Sequence, residues 1–206
     1  MPLSPPRLVV AITGASGSIY GIRLLEVLRE RGGVETHLVI SPAGRRTLAH
    51  ETDYTVEQVE ELADVVYGYR DVGAPLASGS FPTAGMVVCP CSIRTLSALA
   101  LSLADNLITR AGDVCLKEGR PLVCVVRETP LHLGHLKLMA RLAEIGGVVL
   151  PFVEQHVLPP APAFYARPRT VEEIVDHTVG RILQRLGMPV PGLVPEWRGD
   201  SARADR

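Results

Sequence analysis

The 206-residue sequence predicts an α/β protein, a doubly wound parallel sheet with helices on both faces in a three-layer sandwich. Five short runs rich in Val, Ile and Leu are almost continuously apolar, which is typical of strands buried on both faces. Segments with helical spacing lie between these runs. This alternation indicates βαβ units with right-handed crossovers. The length allows one sizeable core but not two ordinary domains.

The elements can be placed in order along the chain. The predicted strands are 7–13, 35–41, 85–89, 121–126 and 148–150. The predicted helices are 18–31, 43–51, 93–103, a segment around 109–118, 131–145 and 170–186. We expect residues 1–188 to form the single domain. The segment 189–206, with three prolines and a charged end, is predicted to be a partly disordered arm.

Composition excludes several classes of function. A formal net charge of −1 gives no general attraction to nucleic acid or anionic membranes, so we expect small-molecule partners or further copies of the chain. The apolar run at 8–12 is too short for a secretory signal or a membrane span. The four cysteines lack CxxC spacing, which favours reduced thiols in a cytoplasmic protein over disulfides or zinc ligands.

A glycine-rich turn, TGASGSIYG at 13–21, directly follows the first predicted strand. Its glycines are spaced G-x-x-G-x-x-x-G, unlike the G-x-G-x-x-G of dinucleotide sites, and the second strand ends in Ser41 where such sites carry a carboxylate. A hydroxyl at that position suits a phosphate, and the amides opening the helix at Ser18 also favour an anion. The turn therefore predicts a mononucleotide site, with a tight turn that binds no ligand as the alternative.

A second candidate anion site lies in CPCSIRTLSALA at 89–100. We expect the strand to end at Cys89 because Pro90 breaks it, which leaves Ser92 and Thr95 on the first turn of the next helix. Unpaired amides and the helix dipole favour negative charge there. Ser92 as a simple N-cap is the alternative, but two such helix starts at one edge of the sheet favour a phosphorylated cofactor.

Charged residues form a third cluster further along the chain. Arg110 and Lys117 are seven residues apart on a predicted helix and so share one face, although both could be ordinary surface charges. Arg127 and Glu128 end a strongly apolar strand, where doubly wound folds place their chemistry. His132 and the histidine three residues later suit a helix start or an interface better than a metal site, since no third ligand is near.

Several collinear motifs together resemble the UbiX-type flavin prenyltransferases, formerly described as aromatic acid or 3-polyprenyl-4-hydroxybenzoate decarboxylase subunits. They are TGASGSIYG, ETD at 51–53, SGSF, CPCSIRTLS, RAGDVCLKE, RPLVCVVRETPLHLGHL and PAFYARP, and they extend over roughly 7–198. The resemblance implies a flavodoxin-like or Rossmann-like fold and a homododecamer with sites between subunits. It implies transfer of a dimethylallyl group from dimethylallyl phosphate to N5 and C6 of reduced FMN. The resulting prenylated FMN serves UbiD-type decarboxylases.

The resemblance also implies roles for individual residues. FMN would contact Gly14, Ala15, Ser16, Ser41, Ser92, Thr95 and Arg127. The phosphate of the prenyl donor would be held by Arg110, Lys117, Tyr165 and Arg181. Catalytic or positioning roles fall on Ser16, Glu51, Glu128 and Trp197.

The chemistry of these residue types agrees with the implied reaction. An allylic phosphate leaves as an anion, so fixed cations lower the barrier and make a metal unnecessary. The chain has no Asp-Asp pair of the kind that holds magnesium diphosphate. Trp197 or Tyr165 could offer a π face to the departing cation, and Glu128 is our first candidate base, with the released phosphate as its rival.

The sequence departs from the family pattern at 152–159, where FVEQHVLP resembles an insertion ahead of Tyr165. Such an insertion could move Tyr165 or alter the lid over the prenyl group. Two alternative functions therefore stay open. One is an FMN-dependent redox or oxidative decarboxylase of the same fold, and the other is a non-catalytic FMN carrier.

Overall fold

The computed structural model describes residues 5–152 and 167–194, whose strands form one parallel six-stranded sheet. The strands are β1 (Arg7–Ile12), β2 (Glu35–Ile40), β3 (Val65–Tyr67), β4 (Gly85–Cys91), β5 (Leu122–Arg127) and β6 (Val148–Phe152). Their order is β3-β2-β1-β4-β5-β6, the Rossmann order. The order reverses between β1 and β4, so the crevice at the carboxyl ends of these two strands is where a ligand is expected.

Seven α-helices connect and flank the strands of the described ranges. They are α1 (Ser18–Arg31), α2 (Pro42–Glu51), α3 (Val56–Glu60), α4 (Ile93–Ala100), α5 (Leu107–Lys117), α6 (Leu133–Glu144) and α7 (Val171–Arg185). The predicted α/β class is thereby confirmed. β3 and α3 were not predicted, because three and five residues are too few to show a period. α4 is shorter than predicted and stops three residues before Leu103.

Alternate residues of each strand face two separate apolar cores. On the first face, Val87 and Cys89 of β4 pack with helices α1 and α7. On the second face, Met86 and Val88 pack with α4, α5 and α6. Because α5 and α7 cover opposite faces of the sheet, their side chains are separated by the full thickness of the sheet.

Pro90 does not end the fourth strand, contrary to the sequence-based prediction. β4 continues to Cys91, with a shift in the register of its pairing to β5 between Val88 and Cys91. A proline lacks the N–H that a central strand needs, and an irregularity of this kind is where a sheet accommodates one. The Pro90 carbonyl still pairs, because it accepts a hydrogen bond from the backbone N–H of Thr13 at 3.2 Å.

The segment after α7 returns to the sheet. Val190 and Leu193 pack against the first core, and Gly180 leaves room for Leu193 and Val194 because a Cβ there would lie 2.5 Å from Val194 Cγ2. Residues 195–206 lie outside the described ranges, so the predicted boundary at 188 stays a prediction. Within the described ranges, no helix is both long and apolar enough to span a bilayer.

Candidate active site

Thr13 joins the two predicted anion sites at the carboxyl ends of β1 and β4. Its hydroxyl donates to the Pro90 carbonyl at 2.8 Å and accepts from the Ser92 backbone N–H, also at 2.8 Å. The residue is 1% exposed. Thr13 is the first residue of the predicted glycine-rich turn, and no role was predicted for it. The sequence did contain a signal for such a role, because a hydroxyl at the end of a fully buried strand needs hydrogen-bond partners.

Ser92 and Thr95 lie on the first turn of α4, as predicted. Ser92 is the N-cap residue, its Oγ accepts from the Thr95 backbone N–H at 3.3 Å, and the two hydroxyls are 3.1 Å apart. The simple N-cap role is therefore confirmed. It does not compete with anion binding, because a hydroxyl that accepts from a backbone N–H still has a proton to donate.

Ser41 begins α2 in the same manner. It is buried, and its Oγ accepts from the Gly44 N–H at 3.0 Å. The glycine-rich turn approaches this helix closely, since a Cβ at Gly14 would lie only 2.4 Å from Ala43 Cβ. Gly14 therefore permits a contact that no larger residue allows, and it brings the turn against the start of α2.

The amides that open α1 are bonded to a carboxylate from the chain itself. Glu51 Oε2 accepts from the backbone N–H groups of Gly17 at 2.9 Å and Ser18 at 3.2 Å, and the Ser16 hydroxyl also bonds to this carboxylate. Partial burial acts to raise the pKa of Glu51, but these hydrogen bonds outweigh burial and lower it. Glu51 is therefore ionised at neutral pH.

Arg127 and Glu128 follow at the same edge of the sheet, at the end of β5. Within the described residues, Arg127 Nε is buried and has no hydrogen-bond partner. A buried guanidinium nitrogen without a partner indicates an acceptor supplied by a ligand or by another segment. Glu128 Oε1 accepts from the Thr129 N–H at 3.1 Å. His132 is the N-cap of α6, as the helix-start interpretation predicts.

The described members of the predicted donor-phosphate set do not meet within one chain. Arg110 bonds to the Ala77 carbonyl at 3.1 Å and to Asp113 at 2.8 Å, and Lys117 forms an ion pair with Glu118. Both cations belong to α5, whereas the exposed Arg181 lies on α7, on the opposite face of the sheet. β5 begins five residues after Lys117, so Lys117 also lies near the amino edge of the sheet, away from Ser92.

The SGSF loop, which had no predicted role of its own, lies beside Lys117. A Cβ at Gly79 would be 2.7 Å from Lys117 Nζ, so glycine lets the ammonium group approach the main chain. Ser78 and Ser80 flank this glycine with exposed hydroxyls 2.8 Å apart. The turn could have been recognised from its composition, since small hydroxylated residues around a glycine are common in anion-binding loops.

Other predicted features cannot be placed. Tyr165 and Trp197 lie outside the described residues, as does the proposed insertion at 152–159 apart from the backbone of Phe152 at the end of β6. Among the described residues, no group of three or more His, Cys, Asp or Glu side chains could hold a metal ion.

The fold and the hydroxyl-lined crevice define an α/β nucleotide-binding protein, and comparison with known proteins identifies the group. The flavoprotein family model matches residues 2–183. Flavin prenyltransferase UbiX of Salmonella typhimurium is 53% identical over 94% of this chain and 98% of its own length. The chain belongs to the flavoprotein family and, within it, to the UbiX-type flavin prenyltransferases.

Solved structures agree with this assignment. A crystal structure of AnUbiX in complex with FMN and dimethylallyl pyrophosphate matches with a TM-score of 0.87 and 43% identity, over 94% of this chain and 98% of that one. A dodecameric FMN-dependent UbiX-like decarboxylase from Escherichia coli O157:H7 also has a TM-score of 0.87, with 44% identity over 94% of this chain and all of that one.

Proposed function

We propose that this protein is a flavin prenyltransferase that joins the dimethylallyl group of dimethylallyl phosphate to N5 and C6 of reduced FMN. The product would be the prenylated FMN cofactor of UbiD-type decarboxylases. One observation carries the proposal: the hydroxyl-bearing starts of α2 and α4 both lie against the end of β1 and its glycine-rich turn. Thr13 holds the start of α4 there, and the Ser41 N–H holds the start of α2 by donating to the Ile12 carbonyl at 3.0 Å. This arrangement suits a mononucleotide phosphate and offers no carboxylate for a second ribose.

The residues present fit FMN. Gly14, Ala15 and Ser16 would line the isoalloxazine and ribityl side, and Ser41, Ser92 and Thr95 would take the phosphate. We place the phosphate at the latter three because the ionised Glu51 carboxylate repels an anion from the start of α1. The buried Arg127 Nε, without a partner among the described residues, would find its acceptor on the flavin.

The donor would be held by cations drawn from more than one chain, because those of α5 and α7 do not meet within one chain. Arg110, Lys117 and Arg181 offer two planar forks and a point charge, and Tyr165 a hydroxyl, so a phosphate monoester could be neutralised without a metal. The separation of α5 from both α7 and the crevice within one chain supports a site completed between copies. We propose a homododecamer, as in the dodecameric UbiX-like decarboxylase from Escherichia coli O157:H7.

Each remaining residue has one proposed task. Reduced FMN supplies electron-rich N5 and C6 positions. The cations stabilise the charge that grows on the departing phosphate. Glu128 would take the proton lost at C6, with the released phosphate as the alternative base. Glu51 orients the Ser16 hydroxyl by accepting its hydrogen bond, and Trp197 would offer a π face to the allylic cation.

A cytoplasmic location belongs to the same proposal. The four cysteines are buried and free of disulfides, which agrees with a reducing compartment. We likewise propose that 1–188 is the FMN-binding domain and 189–206 an arm.

Mass spectrometry of the released flavin tests the proposal. The protein is incubated anaerobically with FMN, a reductant and either dimethylallyl monophosphate or the diphosphate. We expect a flavin heavier by one prenyl unit from at least one donor. Glu128→Gln should slow product formation, and Lys117→Ala should weaken use of the donor. FMN that binds but returns unmodified with both donors would refute the transferase and leave the carrier interpretation.

A further inference from the structure

A partly buried polar cluster lies on the second face of the sheet, outside the site described above. Arg7 Nε bonds to Glu35 Oε1 at 3.2 Å, and the same oxygen lies 2.7 Å from His37 Nε2. The other ring nitrogen of His37 lies 3.0 Å from the Tyr67 hydroxyl. His37 is 2% exposed, so both nitrogens need these partners and the ring is held in one orientation.

Two members of this cluster, Arg7 and His37, pack against the side chain of Phe81. The Arg7 guanidinium lies 4.5 Å above the centre of the Phe81 ring, within the range of a cation–π contact. The His37 ring meets it edge-on with centroids 5.5 Å apart, a favourable aromatic geometry. The ring of Phe81 is thereby fixed relative to β1 and β2.

Arg120 forms hydrogen bonds to the backbone of the same segment. Its NH1 nitrogen donates to the Phe81 carbonyl at 2.9 Å, and its NH2 nitrogen donates to the Gly79 carbonyl at 2.6 Å. A planar fork with two carbonyl acceptors holds both the distance and the angle between them. Arg120 follows α5 by three residues, so it links the loop to the helix that carries Lys117.

These contacts determine where the turn Ser78–Gly79–Ser80 lies relative to Lys117. Gly79 is directly against the Lys117 ammonium group, and the Arg120 fork ends on the Gly79 carbonyl. Any tilt of the loop would therefore change the space around Lys117.

We infer that Arg7, His37 and Arg120 form a clamp on Phe81 that positions the Ser78–Gly79–Ser80 turn against Lys117 and so sets affinity for the phosphate of the prenyl donor. The clamp residues are positioning residues, since they contact Phe81 and Gly79 and act on Lys117 through the turn. This inference rests on the proposed function, which assigns Lys117 to that phosphate.

The test compares Phe81→Leu and Arg120→Ala with a matched control, Arg29→Ala. Arg29 also donates to a loop carbonyl, that of Glu61 at 2.6 Å, but it is remote from α5. Two quantities are measured for each protein: the dissociation constant of dimethylallyl phosphate by calorimetry with oxidised FMN bound, and KM and kcat for prenylation of reduced FMN.

We expect both clamp variants to raise the donor dissociation constant and KM. Arg120→Ala should do so about tenfold because it removes charge-assisted hydrogen bonds to the loop, and Phe81→Leu by a smaller factor because it removes only the ring contacts. The kcat and the dissociation constant of FMN should stay within about twofold of wild type, because loss of binding alone appears in KM. Arg29→Ala should match wild type. Arg120→Lys, which keeps the charge but not the fork, should fall between wild type and Arg120→Ala.

Unchanged donor binding in both clamp variants would overturn the inference, as would an equal loss of FMN binding, which would indicate general damage to the fold. The calorimetric measurement separates this inference from the proposed function. If wild type binds the donor but makes no prenylated flavin, the transferase proposal fails, while weakened donor binding in the variants would still support the clamp.

Discussion

Replacing Thr13 by valine tests whether the two halves of the crevice depend on one hydroxyl. Valine has nearly the shape of threonine, so the change removes the two 2.8 Å hydrogen bonds and little else. The Pro90 carbonyl keeps its bond from the Thr13 N–H at 3.2 Å, but the Ser92 N–H loses its acceptor. An unsatisfied buried donor costs about 1–3 kcal/mol, so we expect the free energy of unfolding to fall by about 2 kcal/mol.

Thr13→Ser is the matched control. It keeps the hydroxyl and loses one buried methyl group, which costs about 1 kcal/mol. Urea denaturation gives the stability of both variants, and flavin fluorescence titration gives their affinity for FMN. We expect Thr13→Val to bind FMN about tenfold more weakly than Thr13→Ser, because the start of α4 is no longer fixed to the end of β1. Equal stability and equal FMN affinity in the two variants would refute the bridging role.

Three further predictions concern other parts of the molecule. Gly21→Ala should destabilise the fold by about 1–3 kcal/mol, because its Cβ would lie 2.3 Å from the Cys89 carbonyl oxygen. Gly112→Ala should cost less, because its Cβ would meet the terminal Cδ2 of Leu99, which can shift more readily than a backbone oxygen, and alanine favours the helix. Urea denaturation would show the change in stability of each variant as a shift of the midpoint, with the slope of unfolding free energy against urea concentration unchanged. Glu51 is exposed and has a lowered pKa in the folded state. Its contribution, about 0.5 kcal/mol after screening by solvent, is present above its ordinary pKa of 4.5 and lost as the pH falls through the folded value. The difference in stability between wild type and Glu51→Gln should therefore shrink on acidification, and a constant difference would contradict this. Because all four thiols are buried, none should be alkylated at pH 8 until the protein unfolds. Burial also raises the pKa of Cys115 to about 11, which keeps that thiol protonated at this pH.

Most of the fold could be predicted because its strands and helices are long enough to show a period. α1 has its predicted bounds, Ser18–Arg31, with basic residues in the last turn and Gly32 after it. β3 and α3 could not be found in this way, since their formation depends on pairing with β2 and on a local capping box at Thr55. The continuation of β4 through Pro90 depends on Thr13, which is far away in sequence.

The candidate site was predictable wherever its chemistry is local to a helix start. Ser41 and Ser92 are both N-caps in the structure, as their positions after apolar strands indicate. Glu51 at the start of α1 was not predictable from residue patterns, because it reaches Gly17 across 34 positions of sequence. The proposed clamp on Phe81 likewise joins residues from three separate segments, so no local sequence pattern predicts it.

The most direct test of a prenyltransferase site shared between chains is the yield of prenylated flavin from mixed assemblies. Lys117→Ala removes a donor cation and Arg127→Ala removes a proposed FMN contact, so each variant alone should make little product. When the two variants are refolded or expressed together, some sites would combine an intact Lys117 from one chain with an intact Arg127 from another. We predict that the mixed assembly recovers a substantial fraction of the wild-type yield. Unmodified FMN from the wild type, or a mixture no more active than its components, would contradict the account.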